Sequence, residues 1–332
     1  MSPRIIRVHP LAGVEGGRVT IQGEGLLSLT SGSPAPEFAG TACRPLIATP
    51  DRIVCPIPDG ARSGFLRVTW LEAAADGPYF EVAVRLADEL HPVANPVVDA
   101  EGFIVTTFSG PRGQAAPGGV SVFRIPPEGG AEAFIADLMN PTGLAVSPDG
   151  TLFISCRNDG TIRKVVGPGR AELFSEGLGI ATGIVFDREG TLFVGDRSGG
   201  IFAVTPEGST RRFARLPSSG VAYHLAFGPD GDLYVTAPTM SNDDPVFRVS
   251  PSGNVERFFE HLARPQGLAF DRDGHLFLVA IYRGERGIFR IAPGGEATLV
   301  VAGENLVGLA FDARGRMIIA STGAIFRLGW AG

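Results

Sequence analysis

The chain has 332 residues, 44% hydrophobic and only 19% charged, which excludes a disordered polymer and leaves room for two domains with cores of their own. A formal net charge of -6 argues against broad attraction to nucleic acid or an anionic membrane surface, and no apolar stretch reaches membrane-spanning length. The 46 glycines and 26 prolines, spread between short apolar runs, call for many turns and an all-β fold; no amphipathic helix of ordinary length is visible.

Met1-Ser2-Pro3-Arg4 leads straight into a strand-like run with nothing resembling a signal peptide. The expected location is therefore cytoplasmic, or extracytoplasmic if the start is truncated. Cys43, Cys55 and Cys156 are an odd and sparse set that does not suggest a disulfide-stapled domain. Cys43 and Cys55 either pair or sit as buried free thiols.

Residues 4 to 86 alternate without a repeated phrase. Strands are expected at Arg18 to Gly23, at Ser63 to Trp70 with Leu66, Val68 and Trp70 on one face, and at Tyr79 to Leu86 with Phe80, Val82, Val84 and Leu86 inward. Several such strands in so short a segment suggest a small β-sandwich. Ile6-Arg7-Val8-His9-Pro10, Gly13, Gly16-Gly17, Val19 to Gly25 and Ile53 to Gly60 together resemble an IPT/TIG domain. That resemblance implies an immunoglobulin-like fold and no particular activity. Leu90-His91-Pro92-Val93-Ala94-Asn95-Pro96 marks a boundary.

From Pro96 onward one phrase recurs, with its clearest copy at Gly267-Leu268-Ala269-Phe270-Asp271-Arg272-Asp273-Gly274-His275-Leu276-Phe277-Leu278-Val279. Two runs too short for helices flank an Asp-Gly turn, which supplies the positive φ of a tight hairpin. The turn glycines are Gly102, Gly150, Gly190, Gly231, Gly274 and Gly315, spaced by 48, 40, 41, 43 and 41 residues. A period just above 40 with four strands per unit indicates a β-propeller. The sixth unit lacks a fourth strand at the C terminus. Either residues 80–90 supply it, in competition with the sandwich, or that blade has three strands. Pro141-Thr142-Gly143-Leu144-Ala145-Val146-Ser147-Pro148-Asp149-Gly150 and Arg264 to Asp271 resemble NHL repeats and the six-bladed gluconolactonase, senescence-marker-protein and virginiamycin B lyase-like group. The expected architecture is all-β, with an immunoglobulin-like sandwich at 1–86 and a six-bladed propeller at 87–332.

Strands alternate in direction within a blade, so first-to-second and third-to-fourth turns share one face. These turns are monotonous Asp-Gly and Pro-x-Gly sequences, which turn chemistry alone explains. The opposite rim is varied, as a binding site on a rigid scaffold is. Its candidate ligand-binding residues are Asn95, Arg112, Asn140, Arg157, Arg197, Thr239, Arg264 and Gln266. Guanidinium groups there suit carboxylates or phosphates; the alternative is local pairing, Arg197 with Asp196 and Arg157 with Asp159. His224 directly precedes an inner strand and is the candidate catalytic base, the alternative being a histidine that holds a loop. The lactonase resemblance implies a divalent cation, Ca²⁺ or Mg²⁺, for which Asn140 and Asp196 are the candidate ligands. Gln266 stands where that family places an aspartate, and no glutamate occupies the first inner strand, Pro96-Val97-Val98-Asp99. No Ser/His/Asp spacing, HExxH, phosphate loop or zinc motif is present.

The expected function is small-molecule binding at the channel mouth, with gluconolactonase-like hydrolysis of a lactone or sugar-acid type substrate, or a lyase reaction, as the implied chemistry. The alternative is a non-catalytic propeller that binds a protein, peptide or carbohydrate partner. Neither nucleic acid nor a membrane span is expected.

Overall fold

The computed structural model describes residues 3–27, 32–109 and 119–329, and among these there is no α-helix. The strands form an N-terminal immunoglobulin-like sandwich and a six-bladed β-propeller, and they group into two compact units.

The first unit holds Met1–Val84 together with Arg283–Arg290 and Ala297–Asn305. One sandwich sheet orders Arg4–His9, Arg18–Glu24, Arg52–Pro56 and Ile47–Ala48; the other orders Ala12–Gly13, Ala74–Val82, Gly64–Thr69, Ala35–Phe38 and Thr41–Ala42. Alternation decides which side chains face inward. Val19, Ile21, Ile53 and Cys55 meet Phe38, Leu66, Val68 and Phe80 in one core. Each fully buried aliphatic or aromatic side chain there contributes about 2 kcal/mol. Trp70 is buried as its period predicts, and its indole N–H donates to the Leu26 carbonyl at 2.9 Å. Cys43 and Cys55 are free thiols. Within this unit Gly13 pairs in parallel with Ala302, and Arg18 meets Glu304 at 3.2 Å.

The expected strand from Tyr79 to Leu86 is two strands. Ala74–Val82 lies in the sandwich, and Val84–Ala87 is the outer strand of the sheet that also holds Ile325–Leu328, Met317–Ser321 and Leu306–Phe311. The period-two pattern breaks at Ala83, so Val84 is 58% exposed instead of inward, while Leu86 is buried against Ile104, Ile318 and Ile325. The sixth blade thus takes its fourth strand from before the repeats.

The second unit comprises Arg85–Tyr282, Ile291–Glu296 and Leu306–Gly332. Blades one to four are regular antiparallel sheets in chain order; the second, for example, runs Pro141–Val146, Leu152–Cys156, Thr161–Gly167 and Arg170–Ser175. In blades two, three and four an aromatic residue on the second strand packs edge-on against the fourth strand of its own blade and the first strand of the next. Phe153 meets Phe174 and Phe186, both at 4.9 Å; Phe193 meets Phe213 at 4.9 Å and Phe227 at 5.1 Å; Tyr234 meets Phe258 and Phe270, both at 5.0 Å. These edge-to-face wedges fill the space between blades.

Candidate functional site

The inner strands of the propeller enclose a cavity of ≈ 380 Å³. Six positions, each seven residues ahead of its hairpin glycine, share one register: Asn95, Gly143, Gly183, His224, Gly267 and Gly308, of which Asn95, Gly143, Gly183 and His224 line the cavity. Close approach explains the four glycines: a Cβ on Gly267 would overlap Asn95 Oδ1, and the other three meet neighbouring backbone. A Cβ on Gly143 would overlap the Thr182 carbonyl oxygen, one on Gly183 the Tyr223 carbonyl oxygen, and one on Gly308 would come within 2.7 Å of the Ala94 carbonyl oxygen. Hydroxyls tie these contacts together: Thr107 donates to the Thr142 carbonyl at 3.3 Å, Ser155 to that of Thr182, and Thr236 to that of Gln266 at 2.7 Å. Only the first and fourth blades place a side chain at this ring.

The two side chains differ in what is left to them. Asn95 Nδ2 donates to the Leu268 carbonyl at 2.8 Å, and its Oδ1 accepts from the Leu309 amide at 3.2 Å. It is a fastener across the fifth and sixth blades. His224 is 2% exposed and lines the cavity, and its Nε2 has no hydrogen-bond partner among the described residues. Burial pushes its pKa down to about 4, partly offset because the Gln266 side chain accepts a hydrogen bond from the ring. The imidazole is therefore neutral at pH 7. The rest of the lining is mainly Leu, Ile, Ala, Val and Phe of the inner strands, with no carboxylate among the described residues.

The other sequence candidates lie outside this lining. Arg112 falls outside the described residues. Asn140 has a left-handed backbone (φ 51°), and its carbonyl accepts from the Arg157 amide at 3.2 Å and the Thr142 hydroxyl at 3.2 Å. Arg157 and Arg197 are half-buried. Arg197 donates to the Gly220 carbonyl, and its Nε is buried without a hydrogen-bond partner among the described residues. The Asp196 carboxylate does not pair with it. Asp196 is buried and accepts from the amides of Ile180 at 2.9 Å and Ser198 at 3.1 Å and from the Ser198 hydroxyl. Thr239 is held by Asp244, hydroxyl to carboxylate at 2.6 Å. Arg264 is exposed with φ 50°. Gln266 joins the site through His224.

A hard divalent cation takes about six to eight oxygen ligands. Asn140 and Asp196 do not line the channel, and both oxygens of Asp196 are engaged by protein donors. These residues do not fit a channel cation. Among the described residues one cluster has ligand atoms close enough to share an ion, Asp271, Asp273 and His275, in the hairpin turn of the fifth blade. There Asp271 is taken up by the turn itself, accepting from the amides of Asp273 at 3.0 Å and His275 at 2.8 Å.

Counting back from the hairpin glycines would have found the ring, because the register is constant. What the sequence reading missed was the division of roles between Asn95 and His224, which depends on partners from blades far apart in the chain.

Comparison with known proteins agrees with the two-part fold. Residues 3–77 match the IPT/TIG domain family, and residues 139–164 match the WD domain, G-beta repeat family. No curated protein matches the chain. Among solved structures it resembles a gluconolactonase from Xanthomonas campestris (18% identity, TM-score 0.61, 80% of this chain and 89% of that one). It also resembles virginiamycin B lyase from Staphylococcus aureus (17% identity, TM-score 0.54, 75% and 98%) and an auxiliary nutrient binding protein from Bacteroides thetaiotaomicron (11% identity, TM-score 0.57, 99% and 98%). At these identities the likeness is one of fold. No helix among the described residues is long and apolar enough to cross a membrane.

Proposed function

We propose that the propeller channel binds an uncharged small molecule that hydrogen-bonds to the His224 imidazole. One observation carries this reading: a neutral, buried histidine lines a mainly apolar cavity, and its Nε2 has no hydrogen-bond partner among the described residues. An unsatisfied buried polar atom costs about 1–3 kcal/mol, which a ligand O–H or N–H donating to it returns. The cavity volume, ≈ 380 Å³, falls within the usual range for small-molecule sites. Arg157 and Arg197 are the rim residues that would meet a polar substituent at the mouth.

Catalysis at the same place is the second reading, supported by the likeness in fold to a gluconolactonase and a lyase. A lactone is neutral and would fit the lining. However, a base whose pKa is about 4 lies well below the optimum for proton abstraction near pH 7, so hydrogen bonding is the better-supported role for His224. The test is a panel of γ- and δ-lactones, cyclic esters and free sugars, scored both for thermal stabilisation and for turnover, with native protein and His224→Gln. Stabilisation by a neutral compound that the variant loses is the expected result. Stabilisation undiminished in the variant would remove the channel histidine from the account, and turnover lost in the variant would favour the hydrolase or lyase.

A further inference from the structure

Phe65 and Tyr79 are the only exposed aromatic residues (Phe, Tyr or Trp) among the described ones, and they are neighbours. Phe65 is 70% exposed and Tyr79 53%. They are directly paired on the strands Gly64–Thr69 and Ala74–Val82, with ring centroids 5.7 Å apart and planes at 88°. Both point away from the sandwich core, since their chain neighbours Leu66 and Phe80 point into it. A polar ladder continues along the same outer face: Glu37 pairs with Arg67 and Arg67 with Asp76, the last two 3.5 Å apart, and Thr69 donates to Glu37 at 3.1 Å. The Tyr79 hydroxyl has no hydrogen-bond partner among the described residues.

We infer that this face is a glycan-binding surface, separate from the propeller channel. Leaving two aromatic rings in water gives up about 25 cal/mol per Å² of apolar area, and nothing in the packing of the sandwich requires either ring to be outside. Size selects the occupant. The two rings offer about 150–250 Å² each, well short of the ~800 Å² that each partner of a stable protein complex buries, but suited to one or two sugar rings. Chemistry selects it as well. A pyranose has C–H groups on one face, which are attracted to the negative face of an aromatic ring, and hydroxyls around its edge. With the rings nearly perpendicular, one provides a floor and the other a wall. The Tyr79 hydroxyl, Arg67, Asp76 and Glu37 then provide donors and acceptors for the hydroxyls within the same ladder. Charged neighbours on both strands make a flat apolar partner, including a second copy of this chain, a poor match.

The test is affinity electrophoresis of the full chain through gels containing a mixed-linkage β-glucan, an arabinoxylan, a galactomannan or a starch, followed by titration calorimetry with a tetrasaccharide of whichever retards it. Phe65→Ala/Tyr79→Ala removes only exposed side chains, and its thermal midpoint is compared with that of the native chain. The expected result is retardation in at least one gel, an affinity at least about tenfold weaker in the double variant at unchanged midpoint, and unaltered retardation of His224→Gln. Retardation in none of the gels, or binding undiminished in the double variant, overturns the proposal. So does a concentration-dependent dimer in sedimentation that the double variant abolishes, because the occupant is then a second copy.

Discussion

Asn95 and His224 occupy the same register in the first and fourth blades, on opposite sides of the channel; both ends of the Asn95 carboxamide are bonded to backbone, whereas His224 Nε2 has no hydrogen-bond partner among the described residues. The other four equivalent positions are glycines. A side chain at this ring is affordable only where the neighbouring backbone leaves space, so the two exceptions carry information that composition alone does not.

The pH dependence of stability follows from His224. Its ordinary pKa of 6.5 falls to about 4 on folding. Between those values the unfolded chain holds a proton that the folded chain does not, so stability decreases as pH falls from 6.5 towards 4. By pH 4 this loss amounts to about 3 kcal/mol. Denaturant unfolding of the native chain across this window should be steeper in pH than that of His224→Gln, the other titrating groups being common to both. A ring ¹⁵N signal of His224 that titrates near 6.5 would contradict the burial on which the channel reading rests.

Asn95→Ala should destabilise the propeller by about 2–4 kcal/mol, because it orphans the Leu309 amide and the Leu268 carbonyl together. Chemical denaturation measures it. A loss below about 0.5 kcal/mol would mean that water replaces both bonds and that Asn95 remains open to a ligand.

The strand switch at Ala83 predicts unequal effects two residues apart. Leu86→Ala removes a buried side chain from the interface between the sixth and first blades and should cost about 2–4 kcal/mol. Val84→Ala removes an exposed one and should stay within about 0.5 kcal/mol of native. Equal losses would indicate one continuous strand.

Asp196 distinguishes a brace from a metal ligand. Asp196→Ala should cost about 2–3 kcal/mol through the orphaned Ile180 and Ser198 amides. Millimolar Ca²⁺ or Mg²⁺ should leave the thermal midpoint of the native chain unmoved. A cation-induced rise that disappears in Asp196→Ala would favour the cation reading instead.

Much of the fold was legible in the sequence, because its signals are local. A hairpin glycine with positive φ, such as Gly274 (φ 83°), and alternation, as in Leu66 and Val68, depend only on near neighbours in the chain. Those two signals set the strand count, the repeat period and the inward faces. Alternation failed at Val84 because the pattern says which side of a strand is apolar and not which sheet the strand joins. Membership of a sheet is decided by long-range pairing, here of Val84–Ala87 with strands more than two hundred residues later. The candidate site was legible only as a place. Asp196 is braced within its own blade, by the amides of Ile180 and Ser198. That Asn95 is a fastener and that His224 keeps an unpartnered nitrogen depend instead on groups from other blades, and a hydrogen bond between such groups has no signature in the local sequence. Composition, turn chemistry and period therefore determined the two-part β architecture. Only the closed ring of blades decided which of its polar side chains are already satisfied and which are not.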